Sequence, residues 1–117
     1  MDPTPIWHAT LAIDWTRARE DGVYRGSADD LRDGFIHFST RETLAASLAK
    51  HRAGVAGLVL LEVDPDALGE ALRWEPARGG ILFPHLYGPL PFDAVLSETP
   101  LPLDEAGRHV LPDRARA

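Results

Sequence analysis

Three histidines, one serine and one glutamate carry most of the chemistry that this sequence offers. His8 stands beside Trp7, His37 lies between Ile36 and Phe38, and His85 follows Pro84 in an aromatic stretch. A neutral imidazole supplies one donor and one acceptor, which suits proton transfer and the gripping of hydroxyls. In an extended segment alternate side chains share a face, so Phe35, His37 and Ser39 point the same way. They do so just ahead of a predicted helix N-terminus, a place that favours anions. Glu75, next to Trp74, is a candidate general acid or base. The run His85-Leu86-Tyr87-Gly88 adds a stacking ring, a phenol and a turn that lets backbone approach a ligand. His51 and His109 sit in ordinary polar contexts.

Each residue type also has a plain structural use. A lone strand histidine is often hydrogen-bonded in place, Glu75 can simply end a strand, and the prolines can hold the aromatic stretch as a packed loop. A zinc site needs three or four ligands at about 2.0–2.2 Å. The positions 8, 37 and 85 match no short metal-binding spacing, so no metal is expected. A serine hydrolase is also disfavoured. Ser39 lacks the G-x-S-x-G context and, with Glu42, matches a capping box that gives it a structural task. The chain has no cysteine, which excludes disulfides, thiol nucleophiles and cysteinyl clusters.

The elements that must position these residues follow from periodicity and punctuation. Residues 5–9 read as a first strand. Thr10 is placed to cap a helix over 11–21, and Gly22 to stop it. Val23-Tyr24 reads as extended, 29–34 as a polar segment ending in a turn signal, and 35–39 as a strand. A second helix is predicted over about 40–51 behind the Ser39 box, closed by Gly54 to Gly57. Leu58 to Val63 is the strongest strand and is expected to be central. A turn at 64–66, a short strand at 71–74 and a late strand at 94–98 complete the set. The stretch 75–91 is so rich in Pro, Gly and aromatics that it reads as a functional loop. Residues 1–111 are expected to form one α+β domain with two helices in its N-terminal half, and 112–117 a frayed tail.

Composition narrows the partners. The chain has 117 residues and a formal charge of −6, a size for one domain and a poor electrostatic match to duplex DNA. Eleven of its twelve cations are arginine, Lys50 being the exception, which with abundant Ala resembles the bias of a GC-rich genome. No apolar run is long enough to span a bilayer, and the N-terminus does not read as a signal peptide. A cytoplasmic monomer or homodimer is expected.

Several motifs together resemble a bacterial family known as domain of unknown function 952. They are Trp7-His8-Ala9-Thr10, Trp15, Gly22 with Tyr24, Asp33-Gly34-Phe35-Ile36-His37-Phe38-Ser39-Thr40, Asp64-Pro65, Leu72 with Trp74-Glu75, and Phe83-Pro84-His85-Leu86-Tyr87-Gly88-Pro89-Leu90. The family is distantly similar to the ADP-ribosyltransferase superfamily, and His8 and His37 with Ser39 resemble two motifs of its RNA 2′-phosphotransferase branch. That resemblance implies a split antiparallel or mixed β-sheet core and a cleft for NAD or another nucleotide. NAD would be a substrate, with no tightly bound cofactor. It implies a catalytic set of His8, His37, Ser39 and Glu75, and ligand contacts from Trp15, Tyr24, Trp74, His85, Tyr87 and Gly88. Arg25, Arg41 or Arg78 would meet the pyrophosphate. The superfamily's strand-borne Glu has no clear counterpart, Glu98 being the nearest in position. The alternative is a module that binds a small ligand in the same cleft without catalysis.

Overall fold

The computed structural model describes residues 4–117; at Arg78 it describes the backbone alone. The α+β domain contains two three-stranded sheets, antiparallel throughout, and among the described residues there is no parallel pair of the kind a mixed sheet would need. The first sheet has the order β1 (Ile6–Leu11), β3 (Leu58–Val63), β6 (Val95–Leu101). The second has the order β2 (Ile36–His37), β5 (Leu82–Leu86), β4 (Leu72–Pro76).

β3 is central, as its unbroken apolar run requires, because both faces of its sheet are covered. Leu58 and Leu60 face Trp7, Leu44, Leu48, Leu101 and Ala115 under helix α3 (Arg41–His51). Val59, Leu61 and Val63 face Trp15, Tyr24, Ile36, Phe38 and Leu86, under helix α1 (Ala12–Asp21) and the second sheet. Glycine closes α1 as expected, Gly22 taking φ 85.

The segment 36–39 stitches the two sheets together. Ile36 and His37 pair with Leu86 and His85, and the Phe38 N–H donates to the Pro84 carbonyl. Pro84 has no N–H to return that bond, and pairing with β5 ends there. Ser39 then exchanges both backbone hydrogen bonds with Trp7 on β1. His37 is therefore fixed at the seam between the sheets.

Four expectations are corrected. Residues 29–33 belong to a third helix of the N-terminal half, α2 (Ala28–Asp33), which has a capping box between Ser27 and Asp30 and ends on the turn glycine Gly34. The box of α3 is Thr40 with Thr43, one residue past Ser39, whose backbone is committed to Trp7. Most of 75–91 is not a loop but the end of β4, a tight turn over 78–80, and β5. The terminal residues 112–117 are not frayed. A 3₁₀ turn over Asp113–Ala115 inserts Ala115, with no exposed surface, into the core beside Trp7. Among the described residues no helix is long and apolar enough to cross a membrane.

Candidate functional site

A cleft of about 600 Å³ opens where α2, α3 and the β5 side of the second sheet meet at the seam. His8, His37, Ser39 and His85 all line it. Their shared placement follows from the pairing: His37 stands opposite His85 in the sheet, and β1 lies alongside through the Trp7–Ser39 bridge. The His37 and His85 rings are 5.5 Å apart, and Phe35 stacks on His85 at 4.1 Å.

Each of these two imidazoles is held from behind by a carboxylate. His37 Nδ1 lies 2.6 Å from Asp30 Oδ1 and its Nε2 lies 3.1 Å from Asp33 Oδ2. The Asp30 hydrogen bond raises the His37 pKa against the opposing effect of burial, and Asp33 adds to the rise. With a carboxylate at each nitrogen, the ring is suited to the charged, doubly donating form. His85 Nδ1 lies 2.8 Å from Glu75 Oε1, which also accepts from the Tyr87 hydroxyl at 2.6 Å. Those two hydrogen bonds hold the Glu75 carboxyl below its usual range, and the bond to Glu75 pushes the Tyr87 phenol up.

Asp30 is the hub, and its role has to be found in three dimensions. Its side chain is 2% exposed and accepts from the Ser27 N–H, the His37 N–H and the His37 ring. Burial alone would raise its pKa; the His37 hydrogen bond, the His8 ring and the two backbone donors outweigh it and hold the group at about 2. The sequence signal was present in Ser27-Ala28-Asp29-Asp30, a capping box with Asp in place of Glu. Gly26 makes room for it: a Cβ there would stand 2.5 Å from the Asp30 Cβ, at φ 108.

His8 supports the site from behind. It is 4% exposed, and both ring nitrogens are engaged. Nδ1 lies 2.6 Å from the His37 carbonyl, which can only accept, so Nδ1 carries the proton and Nε2 accepts from the Tyr24 hydroxyl at 2.7 Å. Burial pushes the His8 pKa down despite the nearby Asp30, and burial pushes the Tyr24 phenol up. His8 is thus a neutral positioning residue with no free nitrogen for a ligand.

Other expected contacts fall elsewhere. Trp15 and Tyr24 are buried in the core, edge to face with each other at 5.2 Å. Their aromatic surface is spent on packing. Trp74 is paired with Pro84 on the opposite sheet face from Glu75 and is not part of the cleft wall. Gly88 lines a separate recess of about 200 Å³ with Arg25 and Phe35. Tyr87 reaches the site through Glu75. Ser39 offers its backbone to Trp7, and among the described residues no hydrogen bond joins its hydroxyl to a histidine. Arg41 is absent from the cleft wall and the Arg78 side chain lies outside the described structure; Arg32, Lys50, His51 and Arg52 line the cleft instead. No cluster of three or more metal-binding side chains is found among the described residues.

A family described as "Protein of unknown function (DUF952)" matches residues 9–98. The crystal structure of protein CC0527 from Caulobacter crescentus is similar at 45% identity, covering 96% of this chain and 98% of that one, with a TM-score of 0.91. The solution structure of CC0527 gives 46% identity, 90% coverage of each chain and a TM-score of 0.79. No curated protein matches the chain.

Proposed function

The chain belongs to the DUF952 family of proteins of unknown function, so its activity has to be read from its own cleft, and we propose that this cleft binds a nucleotide such as NAD or ADP-ribose. In this reading His85, whose Nδ1 alone is engaged among the described residues, holds a ribose hydroxyl through Nε2 beside the carboxylate-held His37, and the protein acts on the ligand as an ADP-ribosyltransferase-like enzyme. One observation carries it: two imidazoles stand side by side on one wall of the cleft, each anchored through Nδ1 by a carboxylate. Anchored donors and acceptors cost no reorganisation when a ligand arrives. The H…H-x-S resemblance of His8, His37 and Ser39 points the same way. His8 and Asp30 set the His37 ring, and Glu75 sets the His85 ring.

Breaking a nicotinamide–ribose bond develops an oxocarbenium-like cation. Asp30 and Asp33 hold the His37 ring and Glu75 holds the neighbouring His85 ring, an environment suited to positive charge. The electron pair of the broken bond leaves with nicotinamide, and an acceptor nucleophile closes the reaction at ribose.

The position of Glu98 favours the second reading, a binding module without catalysis. Glu98 lies on β6 paired with Arg19 and does not line the cleft. Calorimetry with NAD, ADP-ribose and a 2′-phosphorylated dinucleotide, alongside an assay for nicotinamide release, separates the readings. Binding with release supports the enzyme, and binding without turnover supports the module. His85→Ala should cost about 1–3 kcal/mol of binding, the scale of leaving polar partners unpaired. No heat from any of the three ligands with the wild-type protein refutes the nucleotide reading.

A further inference from the structure

One stretch of the cleft wall carries the opposite charge from the histidine pair. Asp33, which touches the His37 ring, also lies 3.1 Å from Arg32 Nε. Arg32 Nη1 lies 3.4 Å from Asp29, and Arg52 Nη1 lies 3.3 Å from the same carboxylate. Two guanidinium groups, one on α2 and one on the C-cap residue of α3, thus converge on one aspartate. Lys50, in the last turn of α3, lines the same cleft and makes no ion pair among the described residues. Three cations against Asp29 and Asp33 leave one unmatched positive charge, that of Lys50, in a chain whose overall charge is −6. Each guanidinium has five N–H donors, and Asp29 engages few of them while restraining both groups. Restraint of this kind lowers the ordering cost of binding an anion, and guanidinium geometry matches phosphate oxygens.

We propose that Arg32, Arg52 and Lys50 form a subsite for the phosphate or pyrophosphate of the ligand, which orients its ribose end toward His37 and His85. The proposal rests on the nucleotide reading and adds an orientation to it: the cleft is bipolar, with a carboxylate-rich end and a cationic rim. It replaces Arg25, Arg41 and Arg78 as the expected phosphate contacts.

The test titrates the full chain with sodium pyrophosphate, NAD and adenosine, following amide and arginine Nε–H resonances at low and moderate salt. Pyrophosphate and NAD should shift the Arg32 and Arg52 side-chain signals and bind more weakly as salt rises. Arg52→Gln and Arg32→Gln should each weaken NAD binding by about 10- to 100-fold, the scale of losing hydrogen bonds to a charged group. Adenosine affinity should stay unchanged. Lys50→Gln removes no ion pair and keeps the test valid if an arginine variant unfolds. NAD affinity and salt dependence unchanged in all three variants would overturn the subsite and leave the nucleotide reading standing. Pyrophosphate binding at the rim without NAD binding would overturn the nucleotide reading and keep the anion subsite. Silence from both ligands would overturn both.

Discussion

Asp30→Asn is the most informative single perturbation of this protein. The Asp30 carboxylate uses both oxygens: Oδ2 accepts from the Ser27 N–H, and Oδ1 accepts from the His37 backbone and ring. An amide has one acceptor oxygen, so in either orientation its NH₂ must face a donor. Between the ordinary 3.8 and about 2 in the folded protein, at about 1.4 kcal/mol per pH unit, the ionised group contributes roughly 2–3 kcal/mol at neutral pH. For a chain of this length that corresponds to a fall in Tm of roughly 10 °C. The folded pKa is depressed, so this stability is fully present above about pH 4 and is lost as pH falls toward 2. His37 behaves oppositely. Its pKa is raised, so its contribution is present below about 6.5 and is lost as pH rises through the folded value. Urea melts of both proteins from pH 2 to 9, with histidine resonances followed in parallel, measure both limbs. The variant should be less stable at pH 7, flatter between pH 4 and 2, and should titrate His37 at lower pH. Equal stability at pH 7 with parallel profiles would refute the assignment of Asp30 as the hub.

Three further outcomes follow from the same packing. Gly26→Ala places a Cβ against Asp30 at a φ that L-residues rarely adopt; it should cost about 1–3 kcal/mol by denaturant melt, and an unchanged midpoint would contradict the close approach. Tyr24→Phe removes the donor to His8 Nε2 and should cost about 1–3 kcal/mol while leaving a buried acceptor; full stability with an unmoved His8 resonance would count against the tautomer. Ala115→Asp puts an unpaired charge into the core beside Trp7 and should lower Tm by roughly 10 °C or more, whereas a frayed tail would tolerate it.

The sequence made some of this arrangement legible. Leu58–Val63 is read at both ends because a run apolar on both faces belongs in the middle of a covered sheet. His37 and Ser39 line one cleft because two-residue periodicity survives even in a very short strand. β5 was hidden because Pro84 argues against a central strand; it is tolerated where β2 stops pairing and the chain crosses to β1. Trp15 and Tyr24 looked like ligand contacts because aromatic type does not reveal direction. The Arg32–Asp29–Arg52 rim joins two helices, and no local spacing encodes it.

The sign of the charge around the histidines discriminates among the chemistries that such a pair can perform. Two neighbouring imidazoles also suit phosphodiester cleavage, but there the transition state gathers negative charge on phosphate oxygens. Asp30, Asp33 and Glu75 leave the pair net anionic even with His37 charged. That excess of negative charge would oppose a phosphoryl centre and favour an oxocarbenium centre. The cationic rim at Arg32, Lys50 and Arg52 lies along the same cleft wall, connected through Asp33 and Asp29. A ligand that is anionic at its phosphates and becomes cationic at its ribose matches both ends in one orientation only. The same polarity disfavours the reversed orientation, so under the nucleotide reading binding and alignment of the scissile bond would arise from one distribution of charge.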